Sequence, residues 1–316
     1  MKAFIQHTFL FLLPLFIGAV ILCVVPIDRK DAYLYVENTC FNRGSYVYDR
    51  IFRNETPIDI ACLGTSHTMN AVMDSAIEAD LHTAGVDVHF CNLAYCWEGL
   101  DAQYVFLQDL IQNKQPDIVL LEVREHEHNL SHEIFPYIAN AHDLVVQPYL
   151  TKWECIPNLY TGMLTRWSII RNDNNVRHRD ISFSAEHGFV PNPGQADSMM
   201  LDDQDKLLYK NYTPLTGRLV NYQMHAYSLY YYEKIVALCA EHHIDLIFVY
   251  VPAYGHLPVE PLDAERYRRD GDLWLMPDSI RFETNYWVNH SHMNVDGASA
   301  FSSWLSGQLF MHEKKN

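Results

Sequence analysis

Ser66 is the residue of this sequence best placed to do chemistry. It lies in Gly64-Thr65-Ser66-His67, directly after Ile58-Asp59-Ile60-Ala61-Cys62-Leu63, an apolar run bounded by Pro57 and Gly64. A short apolar run of this kind suits a strand buried on both faces of a parallel sheet. A serine just past the carboxyl end of such a strand faces the crevice of an open α/β sheet, and the first amides of the following helix point free N–H groups towards it. That arrangement would set a nucleophile beside a ready-made oxyanion site. The competing explanation is a plain helix cap by Thr65 or Ser66, and one G-x-S does not separate the two. A second group, His126, His128 and His132, alternates with Glu125 and Glu127 in a way that invites a metal reading. Its spacing fits no standard closed site, so a solvated charged loop is the preferred reading.

The elements that would hold these residues follow from periodicity. Beyond the Ser66 turn, Val72, Ile77 and Leu81 mark a helix, and 86–93 reads as a second strand ending in Ala94-Tyr95-Cys96-Trp97-Glu98-Gly99. A helix over about 101–112 carries Tyr104, Leu107, Leu110 and Ile111 on one face, and Pro116 introduces a third strand over 117–123. From Phe135 to about Asn221 the periodicity is lost, which suggests an insertion with some helix near 150–170 that acts as a lid or partner surface. A helix at 223–243, a strand at 244–251 and a loop then helix at 286–309 close the pattern, while 28–56 reads as an irregular entry segment. Alternating strands and helices predict an α/β fold of three layers with a parallel central sheet.

Composition narrows the function. The 316 residues carry a net charge of -16, which argues against nucleic-acid binding because clustered Lys and Arg are missing. After Lys2, the run FLFLLPLFIGAVILCVV is uncharged and is closed by Pro26 and Asp28-Arg29-Lys30-Asp31. With the residues before it, the run is long enough to cross a bilayer, and a cleaved signal peptide is its rival. No clear cleavage site follows, so an uncleaved single-pass anchor is preferred, with the bulk of the chain outside the cytoplasmic membrane. The seven cysteines form no CxxC pair, which disfavours structural zinc. One disulfide among Cys40, Cys91, Cys96 and Cys155 would be permissible outside the cytoplasm, but spacing selects no pairing and none is predicted.

Asn289-His290-Ser291-His292-Met293-Asn294-Val295-Asp296-Gly297-Ala298 resembles the last block of the SGNH/GDSL hydrolase superfamily, with His292, Met293, Asn294, Gly297 and Ala298 in register. Gly64-Thr65-Ser66-His67 is similar to that superfamily's first block, and the resemblance spans roughly 57–125 and 225–310. It implies a flavodoxin-like SGNH domain over 57–312 with Ser66 as nucleophile, His292 as base, and oxyanion donors at Ser66, Gly99 and Asn129. Asn289 stands where the family usually has the aspartate that orients the histidine, and Asp278 or Asp296 could substitute for it. His67 and His290 are read as a helix-start residue and an exposed loop residue. The resemblance further implies a serine esterase or O-acyltransferase of the cell envelope acting on an acylated glycan or small ester, without metal or cofactor and with envelope-assembly proteins as candidate partners. The alternative it leaves is a non-catalytic subunit that binds glycan.

Overall fold

The computed structural model describes residues 1–25, 27–36, 39–125, 130–140, 143–145, 155–171, 187–197, 201, 218–255 and 259–315. Five parallel strands form one sheet: β1 (Ile60–Leu63), β2 (Phe90–Asn92), β3 (Ile118–Val123), β4 (Asp245–Tyr250) and β5 (Asp272–Leu275), in the order β2-β1-β3-β4-β5. Strands β1 to β4 are predominantly apolar because both faces are covered, with Asn92 and Glu122 as buried polar exceptions, and alternate residues supply two separate cores. Ala61, Leu63, Val119, Leu121, Phe248 and Tyr250 enter one core, while Ile60, Cys62, Leu120, Ile247 and Val249 enter the other.

The helices, in chain order, are α1 (Lys2–Val24), α2 (Arg29–Tyr33), α3 (Arg43–Tyr48), α4 (Ser66–Ala71), α5 (Asp74–Thr83), α6 (Leu100–Asn113), α7 (Phe135–Ile138), α8 (Cys155–Ile170), α9 (Arg218–Glu241), α10 (Ala264–Asp270), α11 (Asp278–Arg281) and α12 (Val295–Glu313). α6 packs with α9, and α12 packs with α4 and α5. The α/β expectation with a parallel sheet therefore holds.

Two local expectations do not, and β5 and α10 are additional to the elements expected. The entry segment is largely helical, with α2, α3 and a π-helical turn over Asp49–Arg53, and it is anchored by buried Tyr33, Arg43, Tyr46 and Ile51. Arg43 donates to the carbonyls of Asn92 and Ala94, and Arg29 donates to Asp109, so the segment is fixed by buried polar contacts rather than by helical periodicity. The fifth strand and α10 were hidden because Asp272-Leu273-Trp274-Leu275 is an edge strand too short and too exposed to stand out. Cys40 and Cys96 form a disulfide, contrary to the expectation of none. The fold brings their Cα atoms to 5.8 Å, within bridging reach, although 56 residues separate them in the chain.

α1 is long and apolar enough to span a membrane, and its Lys2–Leu22 stretch has a mean hydropathy of 2.1.

Candidate active site

The order β2-β1-β3 places a topological switch between β1 and β3, so the loops that leave these two strands flank one crevice. Ser66 opens α4 immediately beyond β1. Thr65 caps that helix: its Oγ1 accepts the His67 N–H and donates to Glu122 Oε1 at 2.9 Å. Glu122, buried on β3, also accepts the N–H groups of Thr65 and Thr68. The capping role thus belongs to Thr65, which leaves the Ser66 hydroxyl free for another partner.

That partner is His292. Ser66 Oγ and His292 Nε2 are 2.9 Å apart although 226 residues separate them in the chain. The loop carrying His292 is shaped by its neighbours in sequence. Asn289 Oδ1 accepts the N–H groups of Ser291 (2.8 Å) and His292 (2.9 Å), and it lies 3.0 Å from His292 Nδ1. Two backbone donors identify this atom as the amide oxygen, so the third contact must be donated by His292 Nδ1–H. Nε2 then carries the lone pair and accepts from Ser66 Oγ–H. An antiparallel bridge between Trp287 and Met293 closes the base of the loop.

The following residues explain the rest of the motif. Met293 is buried, and Asn294 Oδ1 caps α12 by accepting the Gly297 N–H. A Cβ on Gly297 would lie 2.3 Å from the Tyr286 carbonyl oxygen, so only glycine allows α12 to approach this closely. Neither spare carboxylate replaces Asn289: Asp278 pairs with Arg281, and Asp296 lies exposed in the first turn of α12.

Burial, and secondarily the Arg124 charge, lowers the pKa of His292 from its ordinary value, so the imidazole stays neutral. Arg124 follows β3 directly, with Nη1 3.6 Å from Glu122 and Nη2 3.0 Å from Glu125. Those carboxylates hold its own pKa above the usual range against the effect of burial. Glu98, on the loop after β2, is pushed up to about 7 by burial, with Glu122 and Glu125 reinforcing and Arg124 opposing. Sequence reading passed over Arg124 and Glu98. The switch-point rule applied to the loop leaving β3 would have pointed to Arg124.

Of the two neighbouring histidines, His67 is a helix-start residue as expected, while His290 differs. His67 is buried, its ring 5.2 Å from that of His292 and its Nδ1 without a hydrogen-bond partner among the described residues. Burial, followed by the charges of Arg124 and the neighbouring histidines, lowers its pKa well below the ordinary value. His290 is buried rather than an exposed loop residue, because its backbone carbonyl joins the Tyr254 loop.

Gly99, φ +152°, precedes α6, and a Cβ there would meet His132 Cβ at 2.6 Å. Asn129, His126 and His128 lie outside the described residues. His132 is turned into the core, where Nε2 donates to the Cys96 carbonyl and Nδ1 accepts the Ile134 N–H. Both ring nitrogens are occupied, so His132 takes no part in a metal cluster. No group of three metal-ligating side chains occurs among the described residues. No family model matches the chain, and no curated protein is similar enough to stand as a relative.

Proposed function

We propose that this protein is a membrane-anchored serine esterase or O-acyltransferase of the SGNH type, acting on acylated cell-envelope polysaccharide. The observation that carries this reading is the hydrogen-bonded series Ser66 Oγ, His292 Nε2, His292 Nδ1, Asn289 Oδ1 at the crevice of a parallel sheet. A nucleophile, a neutral base and an orienting group in hydrogen-bond contact are the requirements of covalent acyl transfer.

In the first half-reaction Ser66 Oγ attacks the ester carbonyl while His292 Nε2 takes its proton. The tetrahedral oxyanion is held by the Ser66 N–H, which has no acceptor among the described residues, with Gly99 N–H as the second donor. Collapse expels the alkoxide, which receives the proton from His292 and leaves Ser66 acylated. His292 then deprotonates water or an acceptor hydroxyl, whose attack on the acyl carbonyl releases Ser66 as the proton passes from His292 to Ser66 Oγ. Asn289 orients the imidazole by a neutral dipole, so the imidazolium formed in each step lacks the full counter-charge of a carboxylate.

The apolar α1 and the Cys40–Cys96 disulfide both support a domain outside the cytoplasm, where envelope glycans are met. The neutral residue at 289 is the one observation favouring the alternative, a glycan-binding or assembly subunit that retains the fold without turnover. Fluorophosphonate labelling of the full chain in detergent separates the readings. The proposal expects labelling that Ser66→Ala abolishes and His292→Ala strongly reduces, with p-nitrophenyl acetate hydrolysis following the same order. An unlabelled wild-type chain that is correctly folded supports the binding subunit instead.

A further inference from the structure

α8 is amphipathic in an unusual sense. Its buried side, Cys155, Gly162, Thr165 and Arg166, faces the protein, while Ile156, Tyr160, Leu164, Trp167 and Ile170 are each 46–69% exposed. At 3.6 residues per turn these five side chains fall within an arc of roughly 120°, a continuous apolar row on the open side of the helix. An exposed row of this kind marks an interaction surface.

Its position identifies what it meets. α8 packs against α1, and also against α2 and α7. Arg166 on its inner face donates from Nη1 to the Val25 carbonyl at 2.9 Å, at the C-terminal end of α1, and from Nη2 to the Ala139 carbonyl at 3.0 Å. Gly18, Ala19 and Leu22, in the last turns of α1, are half-buried, whereas Phe4 to Phe11 is exposed. A helix tied to the last turns of a membrane span lies at the depth where headgroups give way to acyl chains. Trp and Tyr, supplied here by Trp167 and Tyr160, are the side chains that favour that depth.

We infer that α8 lies in the plane of the bilayer interface with Ile156, Tyr160, Leu164, Trp167 and Ile170 embedded in lipid, forming a second membrane contact that fixes the tilt of the catalytic domain. This rests on α1 being a membrane anchor. The five embedded side chains are uncharged and Arg171 stacks over the Trp167 ring just beyond the helix, so the contact is driven chiefly by apolar burial with a cation placed at the headgroup level.

The test uses the full chain in phosphatidylcholine nanodiscs, with Cys23→Ser throughout and a nitroxide placed singly at Leu164→Cys, Trp167→Cys, Phe9→Cys in α1 and Glu265→Cys, an exposed residue of α10; the free cysteines among the described side chains are buried. Oxygen, which concentrates in lipid, is expected to relax the labels at 164 and 167 more than a water-soluble nickel chelate does, as at 9, with the reverse at 265. Labels at 164 and 167 that behave like 265 overturn the inference while leaving the anchor intact if 9 remains in lipid. If 9 is also water-exposed, the anchor reading falls with it. Labels shielded from both reagents, or broadened by a second copy, overturn the inference in favour of a protein-covered face. The unlabelled chain gives an independent measure. Brominated phosphatidylcholine should quench tryptophan emission by an amount that drops in Trp167→Phe, and equal quenching in both chains counts against the proposal.

Discussion

Asn289 Oδ1 receives three donors at once, two from its own loop and one from His292. An aspartate would accept the same three with a full charge, so the asparagine keeps the geometry and gives up stabilisation of the imidazolium. Arg124 acts in the same direction, since a cation near His292 disfavours a second positive charge. Base catalysis needs neutral His292, and a pKa below the ordinary histidine value keeps the base competent to lower pH. The acidic limb of the kcat/KM profile is therefore expected below pH ~6.5. Asn289→Asp should move that limb upward by about 1–3 units through the added negative charge and raise kcat on the plateau above the limb. A pH–rate profile of the two proteins checks both statements, and an unmoved limb would mean that His292 is not the titrating base. Asn289→Ala, which loses the contact altogether, should lower kcat without changing the unfolding midpoint appreciably.

At the scale of elements, the Ser66 turn is held by β3 rather than by its own helix. α4 has only six residues, too few to be stable by itself. Glu122 fixes it through Thr65 N–H, Thr65 Oγ1–H and Thr68 N–H, and its charge is balanced by Arg124. Gly64 permits this contact, because a Cβ there would stand 2.5 Å from Glu122 Oε2 and 2.8 Å from Thr68 Cβ. Glu122→Ala leaves the buried donors of Thr65 and Thr68 without their acceptor and takes one of two paired carboxylates from Arg124, which keeps Glu125, and should cost on the order of 3–5 kcal/mol in urea unfolding. Glu122→Gln retains an acceptor and should cost less. A loss in Glu122→Ala below ~1 kcal/mol would show that the turn is held by other contacts.

For the molecule as a whole, the Cys40–Cys96 bridge joins the entry segment to the loop that carries Glu98 and Gly99, so the segment that follows α1 and the crevice share one cross-link. Closing a loop of 56 residues lowers the entropy of the unfolded chain by an amount equivalent to roughly 4 kcal/mol. Cys40→Ala with Cys96→Ala is expected to lower Tm substantially, and reduction of the wild type should lower it by a similar amount. Thermal unfolding with and without dithiothreitol checks this, and equal midpoints would remove the bridge from the account. The remaining described cysteines, Cys62, Cys91, Cys155 and Cys239, are buried, and burial pushes the Cys239 thiol up to about 12, which keeps it unreactive.

Local pattern alone determined the parallel strands ending at Leu63, Asn92, Val123 and Tyr250, because a strand covered on both faces is apolar at nearly every position, and the exceptions Asn92 and Glu122 are buried with hydrogen-bond partners. It also determined the apolar first helix and the turns presenting Ser66 and His292, because capping, close approach and loop closure act over a few residues. Tertiary structure decided the pairings between distant residues. Glu122 beneath the Ser66 turn, Arg124 beside His292, the bridge between Cys40 and Cys96, and the burial of His67 and His290 follow from strand order and the crossing of chain segments, which no local periodicity encodes. The His126–His132 stretch shows the same division: its composition suggested ligands, yet His132 has both nitrogens engaged by neighbouring backbone. The role of a polar side chain is set by the partners that packing supplies, and those partners lie far away in the chain.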